Sequence, residues 1–135
     1  MKVAFTSATG AVVDGDFSKS KSYSVWDIGA SEAYYVTTVN ITSDSVTSDD
    51  RIAARAEALK DCAIIYAMQI NGPAAAKLAA RMIHPMKTGE RIAIERIIGE
   101  LQEILRVSPA PWIRKAQLKD TYLLNDYRDQ DGFVS

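Results

Sequence analysis

The chain has 135 residues, of which 47% are hydrophobic and 24% are charged, and its formal net charge is −1. This length suits one domain that buries its core without a disulfide or structural metal. The near-neutral charge argues against a general nucleic-acid binder, and no run approaches the roughly 18 apolar residues of a membrane span. The single cysteine, Cys62, excludes an intrachain disulfide and predicts a reducing, cytoplasmic environment.

The first third of the chain has the patterns of β-strands. Residues 3–5 predict a short buried strand, and Val12-Val13 is expected to extend the same sheet. The runs 23–28 and 34–41 are rich in Tyr, Trp, Val, Ile and Thr, and Gly29-Ala30-Ser31 separates them. This pattern predicts an antiparallel hairpin.

The middle of the chain predicts a helix, a strand and a second helix. A polar loop at 43–50 is expected to cap a helix that keeps Arg55 on its solvent side. Residues 62–68 are apolar on both faces and predict a central strand. Asn71-Gly72-Pro73 ends that strand and starts a helix that runs to about Met82, since proline is tolerated at the first helical position.

The last third predicts an edge strand at 84–87, because the residue before Pro85 is pushed out of helical geometry. A regular apolar stripe predicts a helix at 91–106, which two prolines end, and Trp112-Ile113 is expected to anchor a last turn. The order of elements indicates a mixed sheet with helices on its faces, and residues 62–87 a right-handed parallel crossover.

The shortage of metal ligands limits the chemistry that the chain can perform. Cys62 and His84 are the only cysteine and histidine, whereas closed zinc sites and protein-built iron–sulfur clusters usually take four ligands. Cys62 follows the pattern of a core residue. A serine triad would need His84 as its base, and no Gly-x-Ser-x-Gly elbow is present. Nucleophilic catalysis is therefore not expected.

The charge distribution around His84 is more informative. No Asp or Glu occurs from Cys62 to Gly89, while Lys77, Arg81 and Lys87 fall inside this stretch. A positive patch around one imidazole suits an anionic ligand with a coordination position open to nitrogen. The alternative, in which these are solvated helix charges beside a surface histidine, stays open.

A second candidate site is the pair Asp14 and Asp16, which project to the same side if the segment is extended. With further carboxylates they would hold Mg²⁺ for phosphodiester hydrolysis; otherwise they are turn residues that flank Gly15. Asn71-Gly72-Pro73-Ala74 is a weak candidate for binding an anion at a helix N-terminus.

Three stretches carry a family resemblance: residues 61–66, 71–76, and Ile83-His84-Pro85-Met86-Lys87. They resemble the nitrogenase iron–molybdenum cofactor biosynthesis family of carriers, in particular its NifX type. The resemblance also includes residues 111–116 and covers roughly 1–117, which we expect to form the carrier domain. Residues 118–135 are expected to be a polar, acidic C-terminal tail.

The resemblance implies a single-domain α/β fold of the ribonuclease-H-like type, with a mixed sheet of about five strands flanked by helices and no nuclease activity. It implies a non-catalytic carrier whose cargo is iron–molybdenum cofactor or its iron–sulfur precursor, and whose partners are nitrogenase assembly proteins rather than nucleic acid or membrane. The role of the family's motif histidine maps onto His84. Relatives usually read His-Phe-Gly where this chain has Asp16-Phe17-Ser18, so no second histidine is available there.

Resemblance and charge together predict that neutral His84 ligates a metal of the cluster, and that Arg81, Lys87 and Lys77 stabilise its negative charge. The alternatives are a metal-dependent phosphodiesterase that uses Asp14 and Asp16, and a pure interaction module of the assembly machinery.

Overall fold

A computed structural model of the chain describes residues 1–42, 47–107 and 111–119. Five strands form its main sheet: β1 (Lys2–Thr6), β3 (Ser22–Ile28), β4 (Ala33–Asn40), β5 (Ile64–Ala67) and β6 (His84–Lys87). Their order is β4-β3-β1-β5-β6. β3 is antiparallel to β1 and β4, whereas β1, β5 and β6 are parallel. β2 (Val12–Val13) and β7 (Ile92–Ala93) form a separate two-stranded sheet.

Within the described residues, four helices accompany the sheet: α1 (Ser48–Ala58), α2 (Gly72–Ala80), α3 (Ile94–Val107) and α4 at 111–119. The side chain of Thr47 caps α1 by accepting from the Asp50 amide, and Asn71 caps α2 by accepting from the Ala74 amide at 2.8 Å. Among the described helices, none combines the length with the hydrophobicity that a membrane-spanning segment requires.

The sheet separates two hydrophobic cores, because successive side chains of a strand point to opposite faces. On one face, Ile65 of β5 packs with residues of α1 and α2 such as Leu78. On the other face, Tyr66 stacks on Phe5 at 5.5 Å in a core that includes residues of α3 and α4. Ile113 of α4 is fully buried there. The described part of α4 therefore packs on the domain through residue 119, and the rest of the predicted tail, 120–135, lies outside the described residues.

The structure confirms the predicted hairpin, the helix that follows Asn71 and the edge strand at 84–87; Asn71 is the N-cap of that helix, and Pro73 is its second residue rather than its first. One predicted pairing and two predicted helix boundaries are wrong. Val12-Val13 does not extend the main sheet but pairs with Ile92-Ala93. Because residues 92 and 93 are in this pairing, α3 begins at Ile94 rather than at Arg91. α2 ends at Ala80 rather than at Met82, which has a positive φ of 60°.

Arg55 was predicted on the solvent side of its helix, and this prediction is wrong. Arg55 is only 3% exposed. The guanidinium donates to the Ser20 carbonyl at 2.9 Å and to the Arg51 carbonyl at 3.1 Å. These bonds provide the partners that a buried charge requires, so Arg55 ties α1 to the loop before β3.

Candidate functional site

His84 opens the edge strand β6, where its amide donates to the Ala63 carbonyl at 2.8 Å. Its register partner is Ile64, whose side chain belongs to the α3–α4 core. Lys87 is opposite Ala67, which belongs to the α1–α2 core. His84 and Lys87 therefore project to opposite faces of the sheet, at opposite ends of the strand.

A cleft of about 110 Å³ opens beside His84, between the start of β6 and helix α4. The imidazole stacks on the Trp112 indole, with ring centroids 4.4 Å apart and planes 17° apart. Lys115, three residues along α4, lines the same cleft. The rest of the lining is apolar: Ala63, Ala79, Met82, Ile83, Pro85 and Ala116.

The environment favours the neutral imidazole. Burial, and secondarily the positive charge of Lys115, lower the pKa of His84 below its ordinary value of 6.5. Among the described residues no side chain or carbonyl hydrogen-bonds to either ring nitrogen, and neither nitrogen is a buried polar atom without a partner. A neutral imidazole with accessible nitrogens is the form that ligates metals.

The structure does not gather the predicted cations around His84. Arg81 follows α2 directly, but its Nε pairs with the Glu57 carboxylate of α1 at 3.4 Å. Neither Arg81 nor Lys77 nor Lys87 lines the cleft. The prediction of a carboxylate-free patch is therefore wrong at Arg81. Helix α1, which lies outside the segment 62–89, brings the Glu57 carboxylate into contact with this residue.

Sequence reasoning missed two residues of α4 that contact the site, Trp112 and Lys115, and a third, Lys119, that contacts the elements beside it. Trp112 was predicted only as an anchor to the core, Lys115 was not considered as a cleft residue, and Lys119 was assigned to the tail. Lys119 is buried, and its Nζ donates to the Cys62 carbonyl at 2.6 Å. Helical spacing places these residues near one side of α4, but nothing local indicates that this side meets His84.

The two aspartates of the alternative site serve separate turns. Asp14 accepts from the Ala8 amide at 3.2 Å, and Asp16 accepts from the amide and hydroxyl of Ser18 at 2.8 Å each. This geometry supports their interpretation as turn residues. Within 1–42, 47–107 and 111–119, no three His, Cys, Asp or Glu side chains cluster so that they could hold a metal ion. Cys62 is a buried core residue.

Comparison with known proteins gives matches over most of the chain. The family model described as dinitrogenase iron-molybdenum cofactor matches residues 1–104. Protein NifX of Herbaspirillum seropedicae is 36% identical over 121 residues, which are 88% of this chain and 83% of that protein. Protein NifY of Azotobacter vinelandii is 33% identical over 116 residues, which are 86% of this chain and 48% of that protein.

Among solved structures, the crystal structure of PH0822 matches with a TM-score of 0.63 and 17% sequence identity. The match covers 83% of this chain and 99% of that one. At this identity the likeness shows a shared fold. It supports the single-domain α/β architecture described above.

Proposed function

This chain belongs to the dinitrogenase iron-molybdenum cofactor family and has a role in nitrogenase cofactor assembly; from that premise we propose that it is a non-catalytic carrier. Its cargo is iron–molybdenum cofactor or the iron–sulfur precursor, held transiently at His84. One observation carries this proposal: the neutral imidazole presents accessible ring nitrogens at an open cleft.

The ligand set suits a carrier rather than a resident metal centre. A preassembled cluster brings its own sulfides, so the protein needs to supply only a displaceable donor. Protein-built clusters use about four cysteines, whereas the only cysteine here is buried in the core. A single imidazole ligand gives an attachment that the next assembly protein can exchange.

The charge of the cluster is stabilised by cations near the cleft. Lys115 lines the cleft directly. We retain Arg81 and Lys77 as secondary contacts at the α2 end, since Met82, next to Arg81, lines the cleft. Arg81 must leave Glu57 to serve this role. Lys87 is removed from the proposed contact set, because its register places it on the other face.

The remaining assignments follow from the same proposal. The five-stranded mixed sheet with helices on both faces supports the ribonuclease-H-like type. A carrier of this kind exchanges its cargo with a donor and an acceptor among the assembly proteins. We place this exchange in the cytoplasm, because a chain with a single cysteine forms no intrachain disulfide and suits a reducing compartment.

The test is cofactor retention by His84→Ala. Purified full-length protein is incubated anaerobically with isolated iron–molybdenum cofactor and passed through a gel-filtration column, and molybdenum and iron per chain are measured. Removal of a ligand should lower the affinity by at least about tenfold, the scale on which even outer-shell changes act. Lys87→Ala is the matched control, because this residue lies on the same strand and faces the opposite side.

Equal retention by wild type and His84→Ala would remove His84 from the site. No retention by the wild type, together with capture of an assembly protein, would favour the pure interaction module. Mg²⁺-dependent cleavage of nucleic acid that Asp14→Asn abolishes would favour the phosphodiesterase.

A further inference from the structure

A buried lysine, Lys119, lies about two turns along α4 from the tryptophan that stacks on His84. Lys119 is 5% exposed. Its Nζ donates to the Cys62 carbonyl at 2.6 Å and to the Arg81 carbonyl at 3.0 Å. Burying an ammonium group is costly unless it is hydrogen-bonded, so Lys119 needs carbonyl acceptors such as these two in addition to apolar packing.

Both carbonyl acceptors lie near the end of the sheet at which the parallel strands β5 and β6 begin, which is where His84 lies. Cys62 precedes β5 by two residues, and Arg81 is the C-cap of α2, three residues before His84. Carbonyls at a helix C-terminus lack intrahelical partners, and a cation is favourable there because of the helix dipole. Lys119 therefore connects α4 to two elements that also fix the position of the imidazole.

The cleft residues of α4 lie one to two helical turns from this connection. Trp112 and Lys119 are seven residues apart, so about 10 Å of helix separates the stack on His84 from the Lys119 contact. Between them only Ile113 and Ala116 are buried. The described part of α4, residues 111–119, is held by these two contacts together with the buried side chains between them.

We infer that Lys119 is a positioning residue, which holds α4 against the start of β5 and β6 so that Trp112 and Lys115 meet His84. The inference rests on the proposed function. Under it, the edge strand β6 and helix α4 form the cluster site together. Trp112, Lys115 and Lys119 all lie beyond the residues 1–104 that the family model matches.

The substitution Lys119→Met tests this inference, because it keeps the aliphatic chain and removes the charge and the donors. His84 is the only histidine, so its ring C–H protons can be assigned in the NMR spectrum without ambiguity at about pH 8, where imidazole is neutral. Stacking on an indole shifts these protons upfield. In Lys119→Met they should move downfield, toward their position in Trp112→Leu, while the far-UV circular dichroism stays that of a folded domain.

Cofactor retention supplies the second readout. Lys119→Met should retain cofactor about tenfold less tightly, comparable with the loss of an outer-shell partner. Lys115→Met is the matched control: it removes one lysine charge from the same helix, so retention should fall while the upfield shift of His84 persists. Lys119→Arg, which keeps the charge and the donors, should recover part of the shift.

The NMR readout needs no cofactor, so it separates this inference from the proposed function. If His84→Ala retains cofactor normally but Lys119→Met loses the upfield shift, the proposed function fails and the positioning role stands. An unchanged His84 resonance in Lys119→Met would overturn the positioning role. If that variant does not fold, Lys119→Gln is measured in the same way; should both fail to fold, Lys119 supports the whole domain and the inference is wrong.

Discussion

The ion pair between Glu57 and Arg81 allows a test of whether Arg81 contributes to binding the anionic cluster. Arg81 Nε lies 3.4 Å from the Glu57 carboxylate, and the two side chains are 32% and 60% exposed. In the proposed complex Arg81 turns from Glu57 to the anionic cluster. The substitution Glu57→Gln removes the competing charge and preserves the shape of the side chain.

The size of the effect follows from the geometry of the pair. At 3.4 Å two unit charges in water attract by about 1 kcal/mol, and exposed pairs measure roughly 0.2–1 kcal/mol. The same range limits what the cluster must overcome to recruit Arg81. Glu57→Gln should therefore lower the free energy of unfolding by less than about 1 kcal/mol and raise cofactor affinity by up to about fivefold.

The assay is an anaerobic titration with iron–molybdenum cofactor, together with urea denaturation. Glu100→Gln is the matched control, since Glu100 pairs with Arg96 at 3.2 Å on the exposed side of α3 and changes the net charge equally. Its affinity should stay that of the wild type. Equal affinities in the two variants would show that Arg81 does not contact the cluster, and a gain well above tenfold would show that the pair is not a weak surface interaction.

Two further predictions concern stability. The pKa of His84 is lowered from 6.5, so below about pH 6.5 this residue binds fewer protons in the folded state than in the unfolded chain. The free energy of unfolding of the wild type should therefore decrease as the pH falls through this range. Urea denaturation at about pH 7.5 and pH 5.5 should show a smaller loss for His84→Gln; equal losses would contradict the shift. Asn71→Ala should cost about 1 kcal/mol through the lost α2 cap, yet leave cofactor retention per folded chain unchanged, since Asn71 lies at the end of α2 away from His84. Reduced retention would show that this end belongs to the site.

Local sequence patterns determined much of the fold. Alternating β-branched and aromatic residues predicted the hairpin of β3 and β4, and Asn71 with Pro73 predicted the start of α2. Pro85 marked the strand that begins at His84. These elements depend on neighbours within a few residues along the chain, where capping, proline geometry and side-chain alternation act.

One feature of the site could have been predicted and was not. His84 and Lys87 are three residues apart in a predicted strand, and a period of two places such residues on opposite faces. The strand period alone therefore separates Lys87 from His84. Glu57 is a different case, because no pattern in the sequence indicates that α1 brings it against Arg81.

The sequence by itself determined that the chain has one imidazole, and it predicted correctly that this residue opens an edge strand. Only the tertiary structure decided what surrounds this imidazole: the indole of Trp112 on its face, the ammonium of Lys115 in its cleft, and Lys119 bonded across to Cys62 and Arg81. The physical reason is the separation of these groups along the chain. Their contacts form only when β5, β6 and α4 pack together, and the energy of that packing is shared among residues that no local pattern connects.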